Sequence, residues 1–233
     1  MNGHATSISM LYGFYDESGQ HDPKGRLMRL TVGGFIASAK KITQLTLEWN
    51  VALNTEAMAS FRMTDFASDE LSYEQWPDER KWKLNRFVEI LCRHVEHFCA
   101  YDYTVTYQAA QSDKTFKDTY EKALASIMMD AARVARDSGK RLSLVFAETG
   151  EIKSTMICDY FKLVNYNERF LSTYTISLSR DKPALQAAEI VARGWKRKMQ
   201  DGVVVHSFAE IMKIAKTFDH WPREKGLHNP DGE

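Results

Sequence analysis

The sequence predicts an α/β protein built on a mixed, five-stranded sheet that is flanked by helices. The chain alternates between strand-like and helix-like segments in the order β-β-α-α-β-α-β-α-β-α. A segment long enough for a crossover helix precedes both the fourth and the fifth strand. Because such crossovers join parallel strands, strands one, four and five are predicted to be parallel. The chain of 233 residues is predicted to form a single domain, 1–233.

Composition places few limits on function. The 31 Lys and Arg residues balance 31 Asp and Glu residues, so the net charge neither favours nor excludes nucleic acid as a partner. The sequence has no secretory signal and no apolar run of about 20 residues, which predicts no membrane partner. Three cysteines without CxxC spacing are typical of reduced thiols. We therefore expect a cytoplasmic protein.

The first two strands are predicted to form a hairpin. Residues 11–17 and 29–37 are strand-like, and a polar segment with Gly and Pro joins them. Strand periodicity places Asp16, at the predicted end of the first strand, on the same face as Phe14. An ionised carboxylate on a covered face is costly unless it meets a cation. Asp16 is therefore the first candidate metal ligand.

Residues 39–99 are predicted to be a helical and loop insertion between strands two and three. Apolar spacing predicts one helix near 40–53 and a second that begins near Pro77. The second helix is predicted to be amphipathic, with an apolar stripe of Trp82, Phe87, Leu91, Val95 and Phe98. The stretch between the helices has no sustained period and is predicted to be a long loop.

Three more strands are predicted in the second half of the chain, and a predicted helix follows each of them. In order, we predict a strand at 100–108, a helix at 115–137, strands at 141–150 and 172–181 separated by a helix at 151–165, and a helix from Pro183 to about Met199. Residues 200–233 are predicted to form a C-terminal extension with a short strand and a helix.

Four carboxylates are predicted to gather at one edge of the sheet. Glu148 shares a face with Phe146 at the end of the fourth strand, and Asp181 follows the fifth strand. Because parallel strands end at the same edge, Asp16 and Glu148 should both lie there. Glu189 lies on the last helix, in an alanine-rich stretch that permits close approach to the sheet. Oxygen ligands without His or Cys suit Mg²⁺ or Mn²⁺, which would activate a water for phosphodiester hydrolysis.

The last helix is basic around and after Glu189. Its cations are Lys182, Arg193, Lys196, Arg197 and Lys198, with Trp195 among them. A basic helix beside an acidic site is what binding of a phosphate backbone requires. The alternative interpretation is a solvated helix end whose cations complement the helix dipole.

Four short motifs resemble a known family. They are YDESG at 15–19, VGGFIAS at 32–38, MTDF at 63–66 and DKPALQAAEIVA at 181–192. Together, over about residues 10 to 195, they resemble the domain-of-unknown-function family numbered thirty-eight hundred. The resemblance implies an RNase H-like fold and a metal-dependent nuclease, with Asp16 and Glu189 as family acids. Family members usually carry Asp where this chain has Glu189, and many carry His where it has Arg62.

Each acid also has an ordinary interpretation. Asp16 and Glu148 could be turn residues, Asp181 could start a helix, and Glu189 could pair with Arg193 on a helix surface.

Two other functions therefore stay open. One is a catalytically inactive binding or assembly module of a multi-protein defence or mobile-element system, with a protein partner or homo-oligomer contacted through Trp76, Trp82 and the irregular segment. The other is a metal-dependent phosphatase that acts on a small molecule.

Overall fold

The computed structural model describes residues 10–21, 27–63, 76–104, 113–148 and 151–201, together with residues 209 and 211. The strands are β1 (Met10–His21), β2 (Leu27–Ser38), β3 (His97–Thr104), β4 (Arg141–Ala147) and β5 (Leu171–Ser177). The helices are α1 (Ala39–Thr55), α2 (Asp78–His94), α3 (Asp113–Ser138), α4 (Glu151–Glu168) and α5 (Pro183–Asp201), and a short 3-10 helix (Ser179–Asp181) precedes α5.

The strands form one mixed sheet in the order β3-β2-β1-β4-β5, with β1 at its centre. β1 and β2 form an antiparallel hairpin, and β3 extends the sheet antiparallel to β2. β4 lies parallel to β1, and β5 lies parallel to β4. The predicted five-stranded mixed sheet, the hairpin and the parallel relation of strands one, four and five are therefore confirmed.

Helices cover both faces of the sheet, and each face has its own core. On the α5 face, Phe14 and Phe35 pack with apolar residues of α1, α2 and α5. On the α3 face, Tyr15 and Phe146 pack with apolar residues of α3 and α4. This division follows from strand geometry, because successive side chains point to opposite faces.

A glycine allows α5 to lie directly on the sheet. A Cβ atom at Gly33 of β2 would lie 2.7 Å from the Cα and 2.8 Å from the nitrogen of Ala192. The alanines of the same helix, including Ala187, Ala188 and Ala192, are fully buried. The prediction that small residues permit close approach of this helix is confirmed, and Gly33 supplies the matching space on the strand.

Several element boundaries differ from the sequence prediction. The strands predicted to reach residues 150 and 181 end at Ala147 and Ser177. β1 continues to His21, because its hairpin partner β2 pairs with it beyond Asp16. α2 ends at His94, since Val95 adopts an extended backbone and Glu96 donates its N–H to the carbonyl of Ile36 at 3.0 Å. Phe98 therefore belongs to β3, and apolar periodicity alone did not distinguish the end of the helix from the start of the strand.

Some predicted elements and site residues lie outside the described residues. The predicted strand at 203–206 and Asp65 of the MTDF motif lie outside the described residues, and only residues 209 and 211 of the predicted last helix are described. None of the helices in the described ranges is long and apolar enough to cross a bilayer. The three cysteines form no disulfide, and Cys99 is the buried one.

Candidate functional site

Asp16 lies at the edge of the parallel part of the sheet, although it is inside β1. The register of β1 with β4 ends at the pair Tyr15 and Phe146, one residue before Asp16. Asp16 pairs instead with Gly33 of β2. Its side chain is half-buried, and its Oδ1 accepts the N–H of Glu17 at 2.7 Å. Asp16 is therefore half-buried on the α5 face, directly after the last residue of β1 that pairs with β4.

Glu189 is held on α5 by the chain segment that follows α1. Its Oε1 accepts the N–H of Met63 at 3.1 Å. One turn earlier, the Oε1 of Gln186 accepts the N–H of Phe61 at 2.9 Å and the indole Nε1–H of Trp49 at 3.0 Å. The N–H groups of Phe61 and Met63 therefore donate to Gln186 and Glu189, which lie three residues apart on α5. Glu189 is thus a backbone anchor as well as a candidate ligand.

Gln186 was not among the predicted site residues. It is only 2% exposed, so its amide must find partners inside the protein. The signal in the sequence was a polar Gln inside the alanine-rich run, three residues before Glu189. That spacing places the two side chains on one side of a helix.

Asp16 and Glu189 lie on the same face of the sheet. Asp16 pairs with Gly33, and Gly33 lies directly beneath Ala192. Glu189 precedes Ala192 by almost one helical turn. The structure therefore brings the first-strand acid and the helix acid to one part of the α5 face.

Glu148 and Asp181 lie at the predicted edge but differ from Asp16 in their surroundings. Glu148 is exposed just after β4, and its N–H donates to the carbonyl of Ser177 at 2.8 Å. Asp181 is exposed in the short 3-10 helix that follows β5. Ala147 packs in the α5-face core. By strand alternation, Glu148 therefore continues the α3 face, opposite to the face of Asp16.

The candidate site offers carboxylate oxygens as possible ligands of a metal ion. Within the ranges that the structure describes, no group of three or more His, Cys, Asp or Glu side chains is arranged to hold one. Asp16 and Glu189 are two half-buried carboxylates on the α5 face. Mg²⁺ is commonly bound by one or two carboxylates, with water and substrate phosphate oxygens completing its octahedron. The chemistry of this pair therefore fits Mg²⁺ or Mn²⁺ as a cation shared with a phosphate substrate.

A third carboxylate lies on the same face, and it was not predicted from the sequence. Asp102 of β3 is 3% exposed, accepts the hydroxyl of Thr31 at 2.5 Å and pairs with the Nε of Arg29 at 3.2 Å. Burial raises the pKa of Asp102, while Thr31, Arg29 and Lys196 act in the opposite direction. The signal was an Asp inside the strand AYDYT, where Asp is disfavoured unless it has a partner.

Thr31 tests how Asp102 is stabilised in its ionised form. In Thr31→Val the carboxylate loses a donor, so its raised pKa should rise further. Below the folded pKa the carboxyl group is protonated in both proteins and the loss is small; the loss grows as the pH rises through the folded pKa of the parent protein and levels off above that of the variant, because the unfolded state is common to both. We expect the free energy of unfolding to fall by about 1.5–3 kcal/mol at neutral pH, and by clearly less near about pH 3. Urea unfolding at both pH values measures this.

The control for this variant is Thr43→Val. Thr43 is exposed on α1 and donates to the carbonyl of Ala39. Its replacement should have a small effect that does not change with pH. An equal loss of stability at both pH values in Thr31→Val would contradict the role of the hydroxyl at Asp102.

Three of the five predicted phosphate-binding cations contact other parts of the protein. Lys196 donates to the carbonyl of Gly19 at 3.1 Å. The guanidinium of Arg197 lies 5.5 Å from the ring centre of Trp76, and the ammonium of Lys198 lies 4.5 Å from that of Trp195. These contacts hold the basic side chains in place along α5.

The other two cations lie at the start and in the middle of α5. The carbonyl of Lys182 accepts the N–H groups of Leu185 and Gln186 at 2.9 and 3.1 Å, so its backbone begins the helix. The side chains of Lys182 and Arg193 are half-buried. Arg193, Lys196, Arg197 and Lys198 therefore belong to α5, and Lys182 directly precedes its first residue, Pro183.

The two tryptophans of the predicted protein interface differ. Trp76 is 2% exposed, and the guanidinium groups of Arg80 and Arg197 lie 5.6 and 5.5 Å from its ring centre. Trp82 is 56% exposed on α2, with Arg86 over its ring, so this member of the apolar stripe lies outside the core. Of the two, only Trp82 has a largely accessible side chain.

No protein-family model matches the chain, and no curated protein sequence is significantly similar to it. The family membership implied by the four motifs therefore stays a prediction.

Proposed function

We propose that the chain is a divalent-metal-dependent nuclease of RNase H-like architecture that hydrolyses nucleic-acid phosphodiesters. The order and directions of the five strands support this proposal, since the central strand β1 pairs antiparallel with β2 on one side and parallel with β4 on the other, and among the described strands β2 alone runs against the other four. An architecture by itself is an analogy and implies no reaction. The proposal therefore depends on the residues at the centre of the sheet.

The observation that carries the proposal is the relation between Asp16 and Glu189. Both are half-buried acids on the α5 face, and the backbone of α5 touches the strand that pairs with Asp16. Two acids in partly buried positions raise the free energy of the fold unless a cation or a hydrogen bond compensates them. Each acid already accepts one backbone N–H, and a divalent ion that also binds phosphate would add to this stabilisation and give the pair a function.

Each acid has a proposed role in that reaction. Asp16 and Glu189 would hold the ion, and Asp181 would contribute from the adjoining edge. Glu148, which follows the last residue of β4, would have to turn from the α3 face to join them. When bound, a divalent cation lowers the pKa of a water nucleophile and neutralises charge on the phosphate. No side chain is then needed as a nucleophile. The chain itself positions the acids, through the contact of Gly33 with α5 and the hydrogen bond from Met63 to Glu189.

The cations of α5 are proposed to bind the phosphate backbone. The helix that carries Glu189 contains Arg193, Lys196, Arg197 and Lys198, and Lys182 directly precedes it. Those already ordered by a carbonyl or an aromatic ring lose less side-chain entropy when they bind a phosphate. Binding by such residues should weaken steeply as the salt concentration rises.

One observation favours the second candidate, an inactive binding module. Trp82 on α2 is 56% exposed, and Leu47 and Val51 on α1 are 62% and 61% exposed. Large apolar side chains that remain accessible are common at protein interfaces. This alternative predicts that the protein binds no divalent ion.

Cleavage assays test the proposal directly. Labelled single- and double-stranded DNA, RNA and DNA–RNA hybrid are incubated with Mg²⁺ or Mn²⁺, with a chelator as the control, and Mn²⁺ binding is measured by calorimetry. We expect cleavage of at least one substrate that the chelator stops, together with heat of Mn²⁺ binding. Absence of both would contradict the nuclease and favour the binding module.

A further inference from the structure

The backbone on both sides of Arg62 is fixed to α5. Phe61 donates its N–H to the Oε1 of Gln186 at 2.9 Å, and Met63 donates its N–H to the Oε1 of Glu189 at 3.1 Å. The side chains of Phe61 and Met63 are buried, whereas Arg62 between them is exposed. The fold therefore holds an arginine at a defined place beside one of the two acids of the candidate site.

The guanidinium of Arg62 has no ionic partner among the residues that the structure describes. Within those ranges its side chain makes no hydrogen bond, ion pair or ring contact, and it does not pair with the carboxylate of Glu189. An arginine carries five N–H donors and keeps its charge in proteins. A cation that is fixed beside an acidic site, and is not neutralised by it, is suited to bind an anion there.

The distance from Arg62 to the carboxylate of Glu189 is short. The nitrogen of Met63 lies 3.1 Å from the Oε1 of Glu189, and covalent geometry places the Cα of Arg62 within about 5.5 Å of that oxygen. An extended arginine side chain reaches about 6 Å from its Cα. Neighbouring oxygen ligands of one Mg²⁺ lie about 3 Å apart. A phosphate that shares a cation with Glu189 is therefore within reach of the guanidinium.

We propose that Arg62 is a catalytic residue that binds the scissile phosphate of a nucleic acid, together with the cation held by Asp16 and Glu189. This inference rests on the proposed nuclease function and adds a residue to it. A planar guanidinium donates two parallel hydrogen bonds to phosphate oxygens. Because the backbone at Phe61 and Met63 is already fixed, less entropy is lost when the contact forms.

Arg62 acts on the charge of the phosphate and keeps its own proton. The water oxygen bonds to phosphorus, and the bond from phosphorus to the leaving oxygen breaks. One water proton ends on the leaving oxygen, and the other stays on the new phosphate or passes to solvent. Negative charge is redistributed over the phosphate oxygens in the transition state, where a guanidinium in place stabilises it.

Binding of labelled oligonucleotides tests the phosphate contact without cleavage. Ca²⁺ replaces Mg²⁺, so that carboxylate and phosphate oxygens still share a cation. In Arg62→Ala the slope of log K against log salt concentration should become shallower by about 0.7–0.9, as expected for the loss of one phosphate contact. Arg141→Ala is the matched control, because Arg141 is exposed and pairs with Met10 at the opposite edge of the sheet from Asp16. It should leave the slope unchanged.

Cleavage by the same variants tests the catalytic role. Arg62→Ala should cleave about 10–100-fold more slowly, which corresponds to the loss of hydrogen bonds to a charged group. Arg62→Lys keeps the charge without the planar pair of donors, so it should retain the salt slope of the parent protein and cleave at an intermediate rate. Mn²⁺ binding by calorimetry and urea unfolding should not change in either variant.

The outcomes separate this proposal from the proposed function. Equal salt slopes in Arg62→Ala and Arg141→Ala would overturn the role of Arg62, even if the parent protein is a nuclease. Loss of Mn²⁺ binding or of stability in Arg62→Ala would also overturn it, because the effect would then be structural. A parent protein whose binding depends on Arg62 but which cleaves nothing would overturn the nuclease function and support the phosphate contact.

Discussion

Asp16→Asn is expected to lower the rate of metal-dependent cleavage by at least about 100-fold. Loss of an outer partner of a metal ligand already costs about 10–100-fold in metal affinity or activity, so loss of a charged ligand should cost more. Asparagine keeps the shape of the side chain and an oxygen that can accept the N–H of Glu17. The free energy of unfolding should therefore change little. The measurements are cleavage rate, Mn²⁺ calorimetry and urea unfolding.

Asp159→Asn is the matched control for this variant. Asp159 is an exposed acid on α4, the helix that covers the opposite face of the sheet. The same chemical change there should leave both cleavage and Mn²⁺ binding unaltered. If Asp16→Asn cleaved as fast as the parent protein, Asp16 would have no role as a ligand, whatever the fold.

Gly33→Ala is expected to lower the free energy of unfolding by about 2–3 kcal/mol, which is typical of an overpacked core. The added Cβ would lie 2.7 Å from the Cα of Ala192, a backbone atom that cannot move without the helix. A shift of α5 would also move Glu189 relative to Asp16. Weaker Mn²⁺ binding should therefore accompany the loss of stability, which denaturant unfolding measures.

Two further variants separate the causes. Gly139→Ala has no atom within 4 Å of the added Cβ, and its positive φ of 65° should cost only about 1 kcal/mol. It should leave Mn²⁺ binding unchanged. Ala192→Gly should not rescue Gly33→Ala, because the contact is with the helix backbone. A full rescue would show that the Ala192 methyl, and not the backbone, sets the spacing.

The strand directions could be predicted because local sequence carries the information. A helical segment precedes both β4 and β5. A connection of this length returns the chain to the other end of the sheet, so the next strand runs parallel to the preceding one. The short polar connection between β1 and β2 likewise requires an antiparallel hairpin. Boundaries were less certain where apolar residues satisfy both periods, as at Val95 and Phe98.

The candidate site was predictable only in part. The alternation around Phe14 and the alanines near Glu189 indicated which face each acid occupies, and the structure agrees. For Glu148, the alternation set by Phe146 leads to the other face, and the shared edge did not reveal this. Two residues at the same edge of a sheet, such as Asp16 and Glu148, can still point to opposite faces, because successive side chains of a strand alternate.

The amino-acid sequence by itself determined the elements, the parallel core of the sheet and the acids at its edge, because these follow from periodicity and connection length. Only the tertiary structure decided which partners those residues meet. The contact of Gly33 with α5, the hydrogen bonds from residues 61 and 63 to Gln186 and Glu189, and the burial of Asp102 with Thr31 join segments far apart in the chain. No local pattern encodes such contacts, because they exist only after the sheet and its helices have packed together.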